Sequence, residues 1–187
     1  MKTKLVVILV HYPVLDRQGE VVTTAITNLD LHDIARSAYT YDAEQFIVVH
    51  PVEAQRRLAL RVREHWVEGS GARRIPDRKP PMTRLSVVPS FDDAIANLSK
   101  PLELWATSAA TTHADLSYTA ARARLNGEAR TVALIFGTGW GLAPAVFERA
   151  THVLAPILSR RDDGYNHLSV RAAAAIMLDR LLGGEGR

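Results

Sequence analysis

The residues best suited to hold a ligand form a glycine-rich loop, GTGWGL at 137–142, which directly follows an apolar run. Three glycines at alternate positions let a backbone bend sharply or lie close to a bound molecule. Their spacing is neither a dinucleotide fingerprint nor a P-loop, because no Gly-Lys-Ser/Thr follows and the residue twenty positions after Gly137 is Ile157, not an acid. The alternative is a tight strand-to-helix turn, with Pro144 beginning the next helix.

Two other segments have the same small, polar character where a strand is expected to end. They are ATSAATTH at 106–113 and APILSRRDDGYNHLSVR at 155–171. Ligands of parallel α/β sheets bind beyond the carboxyl ends of the strands. Together with the glycine loop, these segments can offer backbone donors and acceptors to an adenine and a ribose without a phosphate-binding signature.

Short β-branched runs alternate with helical patterns along the chain. Strands are predicted at 5–10, 46–51, 84–89, 102–107, 131–136 and 152–158, and helices at 31–41, 54–66, 115–127 and 167–184, the last capped by Asn166 and Gly183. This alternation predicts an α/β fold with a largely parallel sheet flanked by helices. The stretch 68–81, rich in Gly, Pro and Arg, is predicted to be a basic mobile loop.

Length and composition favour one globular domain over residues 1–187, with 47% hydrophobic and 23% charged residues. The chain has no cysteine, which excludes disulfides and thiol nucleophiles, and its seven histidines have no ligand spacing, so no metal site is predicted. The apolar run 5–10 is too short for a signal peptide, and no stretch reaches membrane-spanning length. We therefore expect a cytoplasmic protein with no membrane partner.

Positive charge is concentrated between residues 54 and 84, a segment that contains nine Lys or Arg residues and only three acidic ones. A basic arm on an otherwise slightly acidic chain suggests a partner that carries phosphates, such as RNA, although a solvated helix face is the alternative. The predicted phosphate contacts are Arg56, Arg57, Arg61, Arg73, Arg74, Arg78 and Lys79.

These motifs in combination resemble a known family. GTGWGL after a strand, YNHLSVRAAAAIMLDRL near the C-terminus and HYPVLDRQGEVVTTAITNLDLHDIARSAYTY near the N-terminus are similar to the SPOUT class of RNA methyltransferases that use S-adenosylmethionine, in its small bacterial branch. The resemblance covers essentially the whole chain. It implies methyl transfer to a nucleotide of tRNA or rRNA, a homodimer, and a C-terminal trefoil knot, a rare exception among protein chains.

The resemblance also assigns cofactor residues to the three loops. The implied S-adenosylmethionine contacts are Thr107, Ser108, Ala109, Phe136, Gly137, Thr138, Gly139, Trp140, Gly141 and Leu142, with Ile157, Asn166, His167, Leu168 and Ser169 as a lid. Trp140 is either a stacking surface or core packing, and Asn166 and Ser169 can also cap a helix. For the dimer, Ala172–Ala175 would let the last helix approach a partner closely.

Two departures from the SpoU-type pattern bear on catalysis. Where that pattern has an Asn six residues before a helical Arg, this chain has Asp30 before Arg36. Asp30 is a candidate to position substrate or accept a proton, but Thr27-x-x-Asp30 is also a capping box, and Arg36 is a candidate to hold an RNA phosphate. The glycine loop lacks the usual Glu, which favours base methylation over ribose 2′-O methylation.

Two other functions remain open from the sequence. The first is a module of the same fold that binds S-adenosylmethionine or RNA without turnover, which the missing Glu and the lack of an obvious general base favour. The second is an unrelated nucleotide-binding α/β protein, which the poor match to nucleotide fingerprints disfavours.

Overall fold

Six parallel strands form the central sheet of the computed structural model, which describes residues 2–184. The strands of the molecule are β1 (Lys4–Val10), β2 (Val14–Leu15), β3 (Val21–Val22), β4 (Gln45–Val49), β5 (Leu85–Val88), β6 (Leu102–Thr107), β7 (Thr131–Gly137) and β8 (His152–Leu154). The sheet order is β5-β4-β1-β7-β6-β8, and every neighbouring pair is parallel. The prediction of a largely parallel α/β sheet is confirmed.

Helices cover both faces of this sheet. They are α1 (Asn28–Thr40), α2 (Glu53–Val67), α3 (Ser70–Arg74), a 3-10 turn (Pro76–Arg78), α4 (Lys79–Thr83), α5 (Phe91–Ala96), α6 (Tyr118–Leu125), α7 (Pro144–Phe147) and α8 (Val170–Leu182). Within residues 2–184, no helix is long and apolar enough to span a membrane.

The alternation of side chains along β1 explains the two layers. Leu5, Val7 and Leu9 join a core with α1, α2, α6 and α8, whereas Val6 and Ile8 join a second core with α5 and α7. Successive strand residues point to opposite faces, so a central parallel strand must be apolar on both. The continuous apolar run LVVILV reflects this central position.

Several element boundaries differ from the sequence prediction. β8 ends at Leu154 and not at residue 158, because the next backbone N–H, that of Ala155, donates to the Leu116 carbonyl and Pro156 has no N–H to offer. The predicted helix 115–127 begins only at Tyr118, since Ser117 is its N-cap. The last helix likewise begins at Val170 with Ser169 as its cap, so capping by Asn166 is wrong.

The segment 68–81 has more regular structure than a loop. It contains α3, the 3-10 turn and the start of α4, and Gly71 and Pro81 are buried in it. A Cβ at position 71 would lie 2.7 Å from the Trp66 ring, so a larger residue than Gly71 would force neighbouring side chains to move. The prediction of a loop is therefore wrong, while the mobility of this segment stays a prediction.

A small hairpin between β1 and α1 has no counterpart in the sequence prediction. β2 and β3 pair antiparallel through Val14–Val22 and Leu15–Val21, and an isolated bridge joins Val14 to Leu142. The hairpin thus lies against the glycine loop. Strand order and pairing do not describe how the chain threads, so the trefoil knot stays a prediction.

Candidate functional site

A pocket of about 670 Å³ lies where β6 and β7 end. Its size falls in the usual range for small-molecule sites. Every residue that the resemblance assigned to the cofactor lines it: Thr107, Ser108, Ala109, Phe136, Gly137, Thr138, Gly139, Trp140, Gly141, Leu142, Ile157, Asn166, His167, Leu168 and Ser169. The structure therefore brings the three loops together around one cavity.

Each glycine of the loop is required for a different reason. A Cβ on Gly137 would lie 2.7 Å from the Leu142 backbone nitrogen, so the turn closes on itself there. Gly139 has φ +60°, and its Cβ would lie 2.8 Å from the Leu15 carbonyl oxygen. Gly141 has φ +111° and would meet no atom within 4 Å. Gly139 therefore lies against the hairpin, and because it also lines the pocket, its contact with the cofactor stays a prediction.

Backbone hydrogen bonds tie this loop to the hairpin. The Trp140 N–H donates to the Leu15 carbonyl (2.9 Å), and the Leu15 N–H donates to the Gly141 carbonyl (2.9 Å). Leu15, Thr24 and Ala25 also line the pocket. The hairpin is thus a wall of the cavity that the sequence prediction missed, since two-residue strands leave no periodic signal.

A chain of polar groups runs from the pocket lining into the protein interior. Thr138 Oγ1 donates to the Val10 carbonyl (3.1 Å), and the Thr138 and Thr24 hydroxyls are hydrogen-bonded to each other. Thr24 Oγ1 is in turn 3.0 Å from His11 Nδ1. Because the Thr138 proton points to Val10, the Thr24 hydroxyl donates to Thr138 and His11 Nδ1–H donates to Thr24.

His11 and His50 are both buried and both neutral. Val52 N–H donates to His50 Nδ1 (3.1 Å), so Nε2–H of that ring donates to the Thr24 carbonyl (2.9 Å). Burial, and then the neighbouring His50, lower the pKa of His11 from 6.5 to about 4, although Asp30 opposes the shift. Burial also lowers the pKa of His50. A charge on either ring would be poorly solvated, so the pair holds Thr24 in place as neutral donors and acceptors.

Asn166 connects two of the three loops around the pocket directly. Its side-chain amide donates to the Ile157 carbonyl (3.0 Å) and to the Ala109 carbonyl (3.3 Å). The loop after β8 is therefore joined to the loop after β6 by one side chain. This role replaces the helix cap expected from the sequence.

An ion pair marks the side of the pocket nearest α1. Arg171 lies 3.0 Å from Asp30 Oδ1 and 3.6 Å from Asp33 Oδ2. The other Asp30 oxygen accepts a hydrogen bond from Thr27 Oγ1 (2.6 Å), which itself accepts from the Asp30 N–H (3.1 Å). Thr27 is thus the N-cap of α1, as the capping box predicts, but the Asp30 carboxylate accepts from the Thr27 hydroxyl and not from its backbone N–H; Asp30 lines the pocket as well.

The arginine at this site is not the one that the sequence suggested. Arg171 lines the pocket, whereas Arg36 is exposed on α1 and is not part of the lining. Arg171 sits in the first turn of α8, one residue after the helix begins, and no spacing motif identifies it. Arg171 is identified as a site residue only by its proximity to Asp30 in the folded chain.

The seven predicted RNA contacts fall into two groups. Arg56 donates to the His50 carbonyl (3.0 Å), Arg57 pairs with Glu53 (2.8 Å), and Arg78 stacks over the Trp66 ring at 4.6 Å. The other four side chains are exposed and have no hydrogen-bond or ion-pair partner within residues 2–184: Arg61, Arg73, Arg74 and Lys79. The second group has its charge free for a partner.

Comparison with known proteins gives these features a family context. A family model described as "SAM-dependent RNA methyltransferase" matches residues 4–183. The chain is 44% identical over 180 residues to a curated protein of Nitratidesulfovibrio vulgaris, a "tRNA (guanine-N(1)-)-methyltransferase". That match covers 94% of this chain but 41% of the relative, so the chain spans about two fifths of that protein's length.

Solved structures show the same fold. A probable methyltransferase of Bordetella pertussis Tohama I is similar with a TM-score of 0.64 at 17% identity, over 96% of this chain and 92% of that one. The SpoU methyltransferase AviRb of Streptomyces viridochromogenes, solved with AdoMet, is similar with a TM-score of 0.60 at 15% identity, over 97% of this chain and 58% of that one. At these identities the likeness concerns the fold.

Proposed function

The chain belongs to the family of SAM-dependent RNA methyltransferases, and we propose that it transfers a methyl group from S-adenosylmethionine to a nucleotide base in RNA, with the cofactor in the pocket where β6 and β7 end. The observation that carries this proposal is the convergence of three separate loops on one cavity of about 670 Å³. A competing nucleotide-binding function would need a phosphate-binding sequence, and the chain has none.

The chemistry of the lining fits this cofactor. Ser108, Ala109 and Gly141 have small side chains or none, and a Cβ on Gly141 would meet no protein atom within 4 Å. Small residues leave backbone N–H and C=O groups accessible to an adenine and a ribose. S-adenosylmethionine supplies a methyl group on a sulfonium, and the loops contribute by holding it in line with the acceptor, because positioning provides much of the acceleration.

Asp30 is proposed to position Arg171, and Arg171 is proposed to contact the acceptor nucleotide. Both Asp30 oxygens are engaged, one by Arg171 and one by Thr27, so Asp30 acts by positioning Arg171 more than by accepting a proton. The remaining N–H groups of Arg171 are available to an acceptor nucleotide at the pocket. The base loses its ring proton to water, and a guanidinium there stabilises the negative charge that is left on it.

A base is favoured over a ribose as the methyl acceptor. The glycine loop contains no Glu, in contrast to the SpoU-type pattern. The name of the curated relative suggests the N1 atom of guanine in tRNA, but it belongs to a chain more than twice as long. The acceptor atom therefore has to be measured on this chain by itself.

The proposed assembly is a homodimer with α8 near the subunit interface. Ala174 is fully buried in the protomer's own core, which leaves the half-buried Ala172, Ala173 and Ala175 for contact. Arg36 lies on α1, which packs against α8, and there it is proposed to hold an RNA phosphate. Light scattering at micromolar protein concentration tests the dimer, and a monomer would refute it.

Two measurements test the function. Calorimetry with S-adenosylmethionine should show binding by the purified protein, and mass spectrometry of nucleosides should show one methylated base missing from the RNA of cells that lack the gene. Binding without a missing nucleoside would indicate the module without turnover. Absence of binding would refute the cofactor site.

A further inference from the structure

Three aromatic rings form a continuous strip from the pocket to the protein surface. The rings of Trp140 and His167 lie 5.5 Å apart, and those of His167 and Tyr165 lie 5.4 Å apart, each pair inclined at 70°. Trp140 and His167 line the pocket, while Tyr165 lies outside it. We call these three side chains the aromatic strip.

The strip is exposed although two of its three rings are large aromatic groups. Trp140 is 56% exposed and Tyr165 is 58% exposed, in contrast to Trp105, which is wholly buried. Packing in the core therefore does not explain Trp140. An exposed cluster of this kind is typical of a surface that binds a partner.

Local structure fixes the rings in these exposed positions. Trp140 stands between two glycines with positive φ and is held by its N–H bond to Leu15 (2.9 Å). Tyr165 follows Gly164 at φ +76°, and its N–H donates to the Asp163 carboxylate (3.0 Å). Both rings are thus presented by tight turns, which lowers the entropy that binding would cost.

The charges around Tyr165 indicate whether this surface is suited to phosphates or to bases. The neighbouring side chains are Arg160, Arg161, Asp162 and Asp163, which cancel in charge, and Arg161 is paired with Asp163. With no net positive charge, this surface has no particular attraction for phosphates. Flat, exposed rings beside a methyltransferase pocket are suited instead to stacking on unpaired bases, which depends little on sequence.

We propose that the aromatic strip binds a single-stranded stretch of the substrate RNA, with the base to be methylated stacked on Trp140 at the pocket mouth and a neighbouring base stacked on Tyr165. The inference rests on the proposed function, since it assumes RNA as the substrate. It adds a binding surface for unpaired bases that is separate from the basic residues between positions 54 and 84.

The first test measures the affinity for a short, fluorescein-labelled single-stranded RNA of mixed sequence. Tyr165→Ala should weaken binding by roughly 5- to 150-fold, the range for removing one stacked base, while Tyr165→Phe should bind like the wild type. Tyr12→Ala is the matched control, because Tyr12 is also exposed, at 43%, but belongs neither to the aromatic strip nor to the pocket lining. Equal affinities for Tyr165→Ala and Tyr12→Ala would overturn the proposal.

Salt dependence distinguishes stacking from phosphate binding. Tyr165→Ala should leave the slope of log affinity against log salt unchanged, because the variant keeps every cationic side chain that can bind a phosphate. A slope that becomes shallower in Tyr165→Ala would show that the residue acts through the electrostatic surface, and would refute stacking.

Fluorescence tests Trp140 itself. The same RNA without fluorescein should quench the wild-type emission, and Trp140→Phe should lose that quenching. Quenching by S-adenosylmethionine alone, with no further change on adding RNA, would place the ring against the cofactor and overturn the proposal. Calorimetry with S-adenosylmethionine on Tyr165→Ala should match the wild type; if the wild type itself fails to bind the cofactor, the proposed function fails and not the strip.

Discussion

Thr24 and Thr138 are hydrogen-bonded through their hydroxyl groups, although 114 positions separate them in the sequence. Thr24 belongs to the segment that returns from the hairpin, and Thr138 belongs to the glycine loop. Their bond joins two walls of the pocket, and the buried His11 and His50 rings hold Thr24 from behind. The shape of the cavity therefore depends on two threonines of its own lining and on two buried histidines behind them.

Thr138→Val should weaken both folding and cofactor binding. The change removes the hydroxyl that donates to Val10 and accepts from Thr24, at a cost of about 1–3 kcal/mol in the free energy of unfolding. Denaturant unfolding and calorimetry with S-adenosylmethionine measure the two effects. Thr151→Val is the control: its hydroxyl accepts from the Leu104 N–H (3.0 Å) away from the pocket, so it should lose stability only.

Gly139→Ala should reduce S-adenosylmethionine affinity by displacing the hairpin. The new Cβ would lie 2.8 Å from the Leu15 carbonyl and would also require a left-handed backbone. Gly19→Ala has the same backbone strain at φ +84° but no atom within 4 Å, and it should bind the cofactor normally. Equal cofactor affinities in the two variants would contradict the contact between the glycine loop and the hairpin as the cause.

Asp30→Asn should slow methyl transfer by roughly tenfold or more while leaving cofactor affinity close to that of the wild type, because it releases the guanidinium of Arg171. Asp33→Asn is a matched control, since Asp33 lies farther from Arg171, at 3.6 Å, and is more exposed. Steady-state kinetics on the RNA identified by mass spectrometry give kcat for each variant. A similar kcat for Asp30→Asn and Asp33→Asn would exclude a special role for Asp30.

The combined change of Arg61, Arg73, Arg74 and Lys79 to Ser should weaken RNA binding without regard to sequence. The dependence of log affinity on log salt should flatten by about 0.7 for each single-stranded phosphate that the variant no longer neutralises. S-adenosylmethionine affinity should stay nearly constant, because none of the four lines the pocket. Arg57→Ser, which removes a side chain already paired with Glu53, serves as the comparison. An RNA affinity and salt slope equal to those of Arg57→Ser would show that the four charges are only a solvated surface.

Acid should destabilise the protein through His11. Its folded pKa of about 4 lies below the ordinary 6.5, so the unfolded chain binds more protons between these values. The stability from neutral His11 is thus complete above about pH 6.5 and falls as the pH drops towards 4, by about 3 kcal/mol in total. His11→Asn keeps a donor near Thr24 but does not titrate, and unfolding curves across this window should show a weaker pH dependence; an unchanged dependence would implicate other groups.

The sequence predicts the architecture well where apolar runs are long. LVVILV at 5–10 and TVALIF at 131–136 are adjacent central strands of the sheet, and such runs are buried on both faces whatever their neighbours. The position of the glycine loop could also be predicted, since three glycines so close together after an apolar run indicate a tight turn. The reason for Gly139 could not be predicted, because it depends on Leu15 in a distant part of the chain.

The parts of the site that could not be predicted from the sequence are those that depend on tertiary contacts. Arg171 is an ordinary helical arginine in the sequence, and only the packing of α8 against α1 brings it to Asp30. Arg78 shows the opposite case: it counts as a free positive charge in the sequence, but its guanidinium covers the Trp66 ring. Residue type and spacing cannot distinguish an arginine at the site from one that covers an aromatic ring, because each role depends on the neighbours that folding brings together.

The position of β1 at the centre of the sheet has a consequence for synthesis on the ribosome. β1 is complete at Val10, but its second neighbour, β7, begins only at Thr131. Until β7 emerges, one edge of an apolar strand has no partner, and such edges promote aggregation. Pairing across so long a stretch is also slow. We expect this nascent chain to depend on chaperones, and fragments that stop before residue 131 to be insoluble.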